Sequence, residues 1–294
     1  MKMTVAKAGP YLAIDWGTTN RRAYRIAADG AVEETRRDDR GILAVAPGAF
    51  AAELAEIRDR LGDLPALCAG MVGSNRGWTE TPYATAPCAI SALSRGLCWV
   101  EPERTAIVPG IVLREGARAD VMRGEEVQFF GAAHIGAPRD ALLCQPGTHA
   151  KWARMADGRI EWFATAMTGE LYSLLQQHSL IGAEMTGMAI VGEAFLKGVC
   201  DAGEQELLTR LFGVRAARVS GISADQDASS YVSGLLIGTD VRARVDRGRH
   251  AYVLADRKLG ALYLAAIGAV GGHCTIIDSH AAFVAGIHEI WSSL

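Results

Sequence analysis

The chain opens with a short apolar run, Tyr11-Leu12-Ala13-Ile14, which gives way at once to the polar turn Asp15-Trp16-Gly17-Thr18-Thr19-Asn20. A second strand is expected over 21–26, a turn at Asp29-Gly30 and a third strand over 31–35, because Asp-Gly between strand-like runs is a strong hairpin signal. The same design returns further along. Leu142-Leu143-Cys144 leads into Gln145-Pro146-Gly147-Thr148-His149-Ala150, then a strand over 151–155, a turn at Asp157-Gly158 and a strand over 159–163. The two Gly-Thr pairs stand 130 residues apart and the two Asp-Gly pairs 128, so the second hairpin is two residues shorter. Each pair is common alone, but their recurrence in order between apolar strands points to a duplicated unit.

An amphipathic helix is predicted after each hairpin. Phe50, Leu54, Ile57 and Leu61 share one helical face, as do Leu171, Leu174, Leu175 and His178, which makes His178 a core-edge residue. The pattern then alternates: a helix over 229–245 with Tyr231, Leu235, Gly238 and Val241 on one side, a strand over 251–254, a helix over 257–267, a strand over 273–277 and a closing helix over 280–291. Alternation of this kind implies an α/β fold with mixed sheets flanked by helices. Gly131, Gly136 and Pro138 interrupt the pattern and place a domain boundary there, giving domains 1–135 and 136–294, with the last helix free to pack back on the first.

Bulk properties narrow the class. A chain of 294 residues with net charge −3 has no strong electrostatic pull toward nucleic acid or an anionic membrane. Six cysteines, at 68, 88, 98, 144, 200 and 274, form no C-x-x-C pair and read as reduced, buried thiols of a cytoplasmic protein. Residues 1–10 carry Lys2 and Lys7 but no apolar stretch, so no signal peptide is expected. The apolar run 260–272 is too short and glycine-rich to span a bilayer.

The two Gly-Thr turns carry the candidate chemistry. A glycine turn lets backbone N–H groups approach a phosphate, and the hydroxyls and amide of Thr18, Thr19 and Asn20 add donors. Asp15 at the strand end is suited to Mg²⁺, which prefers oxygen ligands and keeps its waters; the plainer alternative is a hairpin turn with a capping aspartate. Gln145 stands where the first copy has Asp15, so Gly147 and Thr148 fit phosphate cradling without a metal carboxylate. His149 is a donor to phosphate or substrate, or a turn-stabilising histidine; Lys151 is a point charge for phosphate, or a strand-surface lysine. Gly73-Ser74-Asn75, closing a strand over 67–72, suits a polyhydroxy acid, with Arg76 and Trp78 as carboxylate partner and stacking face. Trp78 can equally be a packing anchor.

These features resemble the actin and hexokinase superfamily, in which a ribonuclease-H-like domain is doubled. More narrowly, the chain is similar to the 2-dehydro-3-deoxygalactonokinase family. The segments that carry the likeness are 69–75 with Gly77-Trp78, Met122-Arg123-Gly124-Glu125-Glu126, 146–149 with Lys151-Trp152, Thr168-Gly169-Glu170-Leu171 and 233–238, in order along almost the whole chain. The resemblance implies an active site in a cleft between the domains, ATP and Mg²⁺ as cofactors, and transfer of phosphate to the terminal hydroxyl of 2-dehydro-3-deoxy-D-galactonate in galactonate breakdown. It implies Gly73, Ser74, Asn75, Trp78, Arg123, Gly169 and Glu170 at the sugar acid, and Gly234 and Gly238 at the nucleotide. It also implies an acidic base at the start of a helix, which here is Glu125, with Glu126 as the alternative. Leu254-Ala255-Asp256 departs from the pattern, since a glycine is expected near the adenosine. The competing readings are a kinase of another sugar acid or sugar, a nucleotide or polyphosphate hydrolase, and a catalytically silent sugar-acid sensor. The sequence leaves a homodimer open.

Overall fold

The computed structural model describes residues 9–204, 206–222 and 227–294. The chain forms two compact units. The first comprises residues up to Asp140, the segment Arg154–Phe163 and Ser279–Leu294; the second comprises Ala141–Ala153 and Ala164–Asp278.

In the first unit the elements run β1 (Tyr11–Trp16), β2 (Arg21–Ile26), β3 (Val32–Asp38), α1 (Phe50–Leu61), β4 (Ala66–Gly70), β5 (Ala84–Thr85), α2 (Ile90–Arg95), β6 (Cys98–Glu101), β7 (Thr105–Ile107), β8 (Ile111–Glu115), β9 (Arg118–Met122) and α3 (Glu125–Ile135). The six-stranded sheet has the order β3-β2-β1-β4-β7-β6, with β1 antiparallel to β2 and parallel to β4. Leu54, Ile57 and Leu61 of α1 pack with Leu12, Ile14, Trp16 and Cys68, which is why the 4-3-4 spacing folds as a helix on this sheet. Strands β5, β8 and β9 form a separate small sheet that delivers the chain to α3.

The second unit runs β10 (Ala141–Gln145), β11 (Ala150–Ala156), β12 (Arg159–Ala166), α4 (Thr168–His178), α5 (Glu193–Asp201), α6 (Leu207–Val219), α7 (Ala228–Arg242), β13 (His250–Leu254), α8 (Arg257–Ala269) and β14 (His273–Ile277). Its sheet order, β12-β11-β10-β13-β14, repeats the hairpin-then-parallel plan of β3-β2-β1-β4-β7. The outer ends of β11 and β12 group with the first unit, where Cys88 and Ile160 form an isolated bridge. The closing helix α9 (Ser279–Ser292) also belongs to the first unit.

Each unit contains a helix pair pressed together through glycines. A Cβ on Gly131 of α3 would lie 1.8 Å from the Ala282 carbonyl oxygen, and one on Gly286 of α9 would lie 1.9 Å from that of Val127. In the second unit Gly198 of α5 and Gly234 of α7 stand at 2.2 and 2.1 Å from the carbonyl oxygens of Tyr231 and Phe195. Only hydrogen in place of a side chain permits such contact.

Two expectations need correction. His178 is exposed and is not a core-edge residue, although Leu171 and Leu175 of the same stripe pack, partly buried, against the second-unit core. Cysteines 68, 88 and 144 are buried, but Cys200 is exposed, and all six are free. No helix among the described residues is long and apolar enough to cross a membrane.

Candidate active site

The first Gly-Thr turn is held from behind. The carbonyls of Gly17, Thr18 and Thr19 accept backbone bonds from Ile42, Leu43 and Gly41 at 3.0, 3.2 and 3.2 Å. With its carbonyls turned into the protein, the turn leaves the side chains of Thr18, Thr19 and Asn20 exposed. Asp15, one residue inside the end of β1, has a side chain 20 % exposed and pairs loosely with Arg22 at 3.4 Å. Burial, against the opposing pull of Arg22, pushes its carboxyl up to about 6, with Glu125 adding like-charge repulsion. A carboxylate with raised proton affinity is short of positive charge.

Two glycines bring Glu125 into that field. Trp16 of β1 pairs with Gly70 of β4, where φ is +98° and an added Cβ would meet the Trp16 carbonyl oxygen at 2.8 Å. Gly124, at φ +110°, lies directly on Gly70, so α3 starts beside the ends of β1 and β4. The two glutamates then separate. Glu126 is fully buried, and both its carboxylate oxygens accept the Gly124 N–H at 2.8 Å; burial pushes its carboxyl up to about 8. Glu125 is partly exposed and accepts the Arg123 N–H at 3.0 Å.

Arg123 is buried, and both of its terminal nitrogens bond to Thr81: Nη1 to the hydroxyl, Nη2 to the carbonyl at 2.9 Å. Its guanidinium also lies 4.3 Å from the Tyr83 ring centroid. Thr81 in turn donates its N–H to the Gly73 carbonyl at 2.9 Å, so Arg123 braces the 73–75 loop from inside. Asn75 and Arg76 are exposed, whereas the Ser74 hydroxyl bonds back to the Met71 carbonyl. Trp78 stacks on Phe50 at 6.4 Å and packs against the first-unit core, as a packing anchor does.

In the second unit, the turn after β10 leaves Gly147, Thr148 and His149 exposed. It is seated on the start of α4: Glu170 donates its N–H to the Thr148 carbonyl at 2.8 Å, and a Cβ on Gly169 would lie 2.4 Å from the Gly147 carbonyl oxygen. Glu170 also faces His149, with Oε2 2.6 Å from Nε2. Lys151 is buried, and its ammonium donates to the Thr165 hydroxyl at 2.7 Å, so it is a strand residue held in the sheet. The Gln145 side-chain oxygen is buried without a hydrogen-bond partner.

Beside this turn lies a cavity of about 300 Å³, lined by Gly147, Thr168 and Gly169, by Tyr172 and Gln176 of α4, by 187–189, by Ser233, Leu236 and Ile237 of α7, and by Asp256, Lys258, Leu259, Leu262 and Tyr263. Gly234 and Gly238 are not among the lining residues; they face α5. Asp256 caps α8 by accepting the Lys258 and Leu259 N–H groups at 2.9 Å, and Ala255 is buried in the second-unit core. Sequence reasoning missed Tyr172, Lys258 and Tyr263. The Asp-x-Lys helix start at 256–258 was the one local signal for them.

Among the described residues no three His, Cys, Asp or Glu side chains converge to hold a metal ion by themselves. That donor set still fits Mg²⁺ arriving with a nucleotide, because Mg²⁺ is usually held by one or two carboxylates together with phosphate oxygens and water. Asp15, partly exposed beside the Thr18-Thr19-Asn20 turn, is a carboxylate of the kind such an ion takes.

The fold is actin- and hexokinase-like, an α/β architecture of mixed sheets flanked by helices. It is shared, at a TM-score of 0.51 and 10 % identity, with the activator of the 2-hydroxyisocaproyl-CoA dehydratase from Clostridium difficile solved with bound ADPNP, over 97 % of this chain and 95 % of that one. Residues 15–290 match the family described as 2-keto-3-deoxy-galactonokinase, and the chain belongs to that family. It is 38 % identical over 286 residues to the 2-dehydro-3-deoxygalactonokinase of Escherichia coli strain K12, covering 95 % of this chain and 97 % of the relative. A Sinorhizobium meliloti crystal structure provisionally assigned as a 2-dehydro-3-deoxygalactonokinase superposes with a TM-score of 0.89 at 32 % identity, over 95 % of this chain and 97 % of the other.

Proposed function

We propose that this chain transfers the terminal phosphoryl group of ATP to the terminal hydroxyl of 2-dehydro-3-deoxy-D-galactonate, giving the 6-phosphate and ADP. Family membership supports the reaction class. The observation that carries the mechanism is the pair of carboxylates in the first unit: Asp15 beside the exposed Thr18-Thr19-Asn20 turn, and Glu125 at the start of α3 within its electrostatic reach.

Phosphoryl transfer asks the protein for positioning and charge rather than covalent chemistry. Asp15 is the residue to hold Mg²⁺, which when bound neutralises charge on the phosphates. Thr18, Thr19 and Asn20 of the first unit offer donors suited to phosphate oxygens, and Gly147, Thr148 and His149 of the second unit offer donors of the same kind. The cavity between α4 and α8 takes the nucleoside, where Tyr172 and Leu259 offer apolar faces and Lys258 a positive charge. Glu125 accepts the hydroxyl proton; its partial exposure suits contact with substrate, while Glu126 is enclosed and spends both oxygens on Gly124. Asn75 holds the sugar acid on a loop that Ser74 and Arg123 keep rigid. Glu170 orients His149.

A coupled ADP-release assay across several 2-keto-3-deoxy acids tests the reading. The expected result is release that depends on sugar acid and drops at least ~10²-fold in Glu125→Gln, with sugar-acid binding kept. Release without any sugar acid points to a hydrolase; binding without release points to a sensor. Normal turnover in Glu125→Gln moves the base elsewhere.

A further inference from the structure

We infer that Asp240 is a positioning residue for the nucleoside triphosphate, fixing from beneath the polar floor of the cavity between α4 and α8. The inference rests on reading that cavity as the nucleotide site. Asp240 is 5 % exposed and does not line the cavity. Its carboxylate instead gathers donors from α4 and α8, two of the helices that line the cavity, and from β11 and Arg244 behind them. Oδ2 accepts the Trp152 indole N–H at 3.0 Å, from the strand that leaves the second Gly-Thr turn. The same oxygen accepts the Tyr263 hydroxyl at 3.1 Å, from α8. Oδ1 accepts Arg244 Nη1 at 2.9 Å, and the Thr168 hydroxyl, at the first residue of α4, joins the same group.

Two of these donors, Tyr263 and Thr168, do line the cavity, and Thr168 precedes the Gly169 that seats the Gly147 carbonyl. Asp240 therefore ties the second turn, the start of α4 and α8 to one point. Stability alone gives no reason to bury a charge here. The surrounding core is apolar, with Leu142, Cys144, Val241 and Val253 in the same cluster, and an apolar residue in such a place is generally at least as stable. What a shared carboxylate adds is a single arrangement of several polar groups, since the Trp152, Tyr263 and Arg244 donors must all converge on its two oxygens. Loss of that arrangement frees Thr168 and Tyr263 to shift, and a displacement of about 1 Å in a binding constellation is costly.

The test is calorimetric binding of ATP and of the sugar acid, separately, to the full chain and its variants, alongside thermal unfolding. Asp240→Asn retains the shape and loses the charge that Arg244 pairs. It is expected to weaken ATP binding at least about tenfold while sugar-acid binding stays within about twofold. Val199→Ala, a cavity-forming change in α5, serves as a control with lowered Tm and unchanged ATP affinity. Tyr263→Phe keeps the ring in the cavity wall and removes one bond, and is expected to weaken ATP binding less than Asp240→Asn. Ala189→Trp fills the cavity and checks the underlying reading. If it leaves ATP binding intact, the nucleotide site is elsewhere and the inference falls with it. If it abolishes ATP binding while Asp240→Asn, folded, binds ATP normally, Asp240 is structural only and the inference alone fails. Should Asp240→Asn not fold, unchanged ATP affinity in Tyr263→Phe overturns the inference in its place.

Discussion

The two Gly-Thr turns share a sequence landmark and a place in a repeated sheet, yet they are built for different work. The first ends a strand that carries Asp15; the second ends one that carries Gln145, a neutral amide. The first is backed by the Gly41–Leu43 loop, which takes up three of its carbonyls, whereas the second rests on the start of α4. The residue four places after each glycine, Arg21 or Lys151, is buried in its sheet. Arg21 pairs with Glu53 at 2.9 Å and Asp38 at 2.8 Å, and Lys151 bonds to Thr165. The two turns thus share a backbone device and differ in what surrounds it: the carboxylate of Asp15 at the first, and a neutral amide beside a cavity of about 300 Å³ at the second.

The division is sharpest at the strand ends. Asp15→Asn is expected to lower turnover by at least about 10³-fold, because the lost charge supports several kcal/mol of transition-state stabilisation. Gln145→Asn, which loses at most a neutral hydrogen bond of about 1 kcal/mol, should cost no more than about tenfold. Steady-state kinetics at saturating Mg²⁺ measures both, and comparable losses would erase the distinction. The proposed metal role requires Asp15 ionised, so kcat/KM of the native chain should fall as pH drops below about 6.

The buried cations come next. Arg21→Met leaves the buried Glu53 carboxylate with only Arg40 and is expected to destabilise the first unit by about 3 kcal/mol. Lys151→Met keeps the buried stem and gives up the ammonium's bond to Thr165, and its cost is expected to be the smaller of the two. Urea unfolding of the two variants ranks them. An ATP affinity that falls in Lys151→Met would return Lys151 to the phosphate site.

Lys151 also shows what the sequence could and could not tell. The duplicated strand–turn–strand plan was legible because hairpin turns have strong local signatures and strands alternate. α1 was legible because Phe50, Leu54, Ile57 and Leu61 all face one sheet. Side-chain roles were less so. A lysine after a Gly-Thr turn reads as a phosphate ligand until the strand register turns it inward. Gly234 and Gly238 read as ligand glycines until α5 presses against them. Tyr172 and Tyr263 were invisible because the cavity is made by helices far apart in sequence, with no local spacing to mark it. His178 misled in another way: Leu171 and Leu175 of its stripe meet a core, but the helix carries His178 past the edge of it into solvent.

The glycine braces differ in a way that alanine can read. A Cβ at Gly41 would lie 2.4 Å from the backbone of Thr18 and Thr19, and one at Gly169 would lie 2.4 Å from the Gly147 carbonyl oxygen. Gly147 itself has only a 3.8 Å contact. Gly41→Ala and Gly169→Ala are expected to cost about 1–3 kcal/mol each, as overpacking does, and Gly147→Ala less than about 1 kcal/mol. Affinity should divide as well, with Gly169→Ala weakening ATP binding and Gly41→Ala weakening catalysis through the Thr18-Thr19 turn. If Gly147→Ala proves the most damaging of the three, close approach of a ligand backbone or phosphate to that glycine, rather than packing, governs the second turn.

The smallest expected effect on turnover concerns Glu126, the buried carboxyl at the start of α3. In the folded chain it releases its proton near pH 8, against an ordinary value of 4.5. Between those values the unfolded chain has lost the proton and the folded chain has kept it. Folding therefore takes up a proton there, and the stability this group contributes, fully present below pH 4.5, declines as pH rises toward 8. Above that, both states are ionised and the slope vanishes. Glu126→Gln resembles the protonated form, has nothing to release, and can still accept the Gly124 N–H through its amide oxygen. Its Tm should track the native chain near pH 5, exceed it by a few degrees near pH 8 and hold that margin beyond. Turnover at neutral pH should change little, in contrast to Glu125→Gln. A margin that is flat across the whole range would mean that Glu126 stays ionised when folded. Enclosure would then no longer separate it from Glu125, and both carboxylates at the start of α3 would stand as equal candidates for the base.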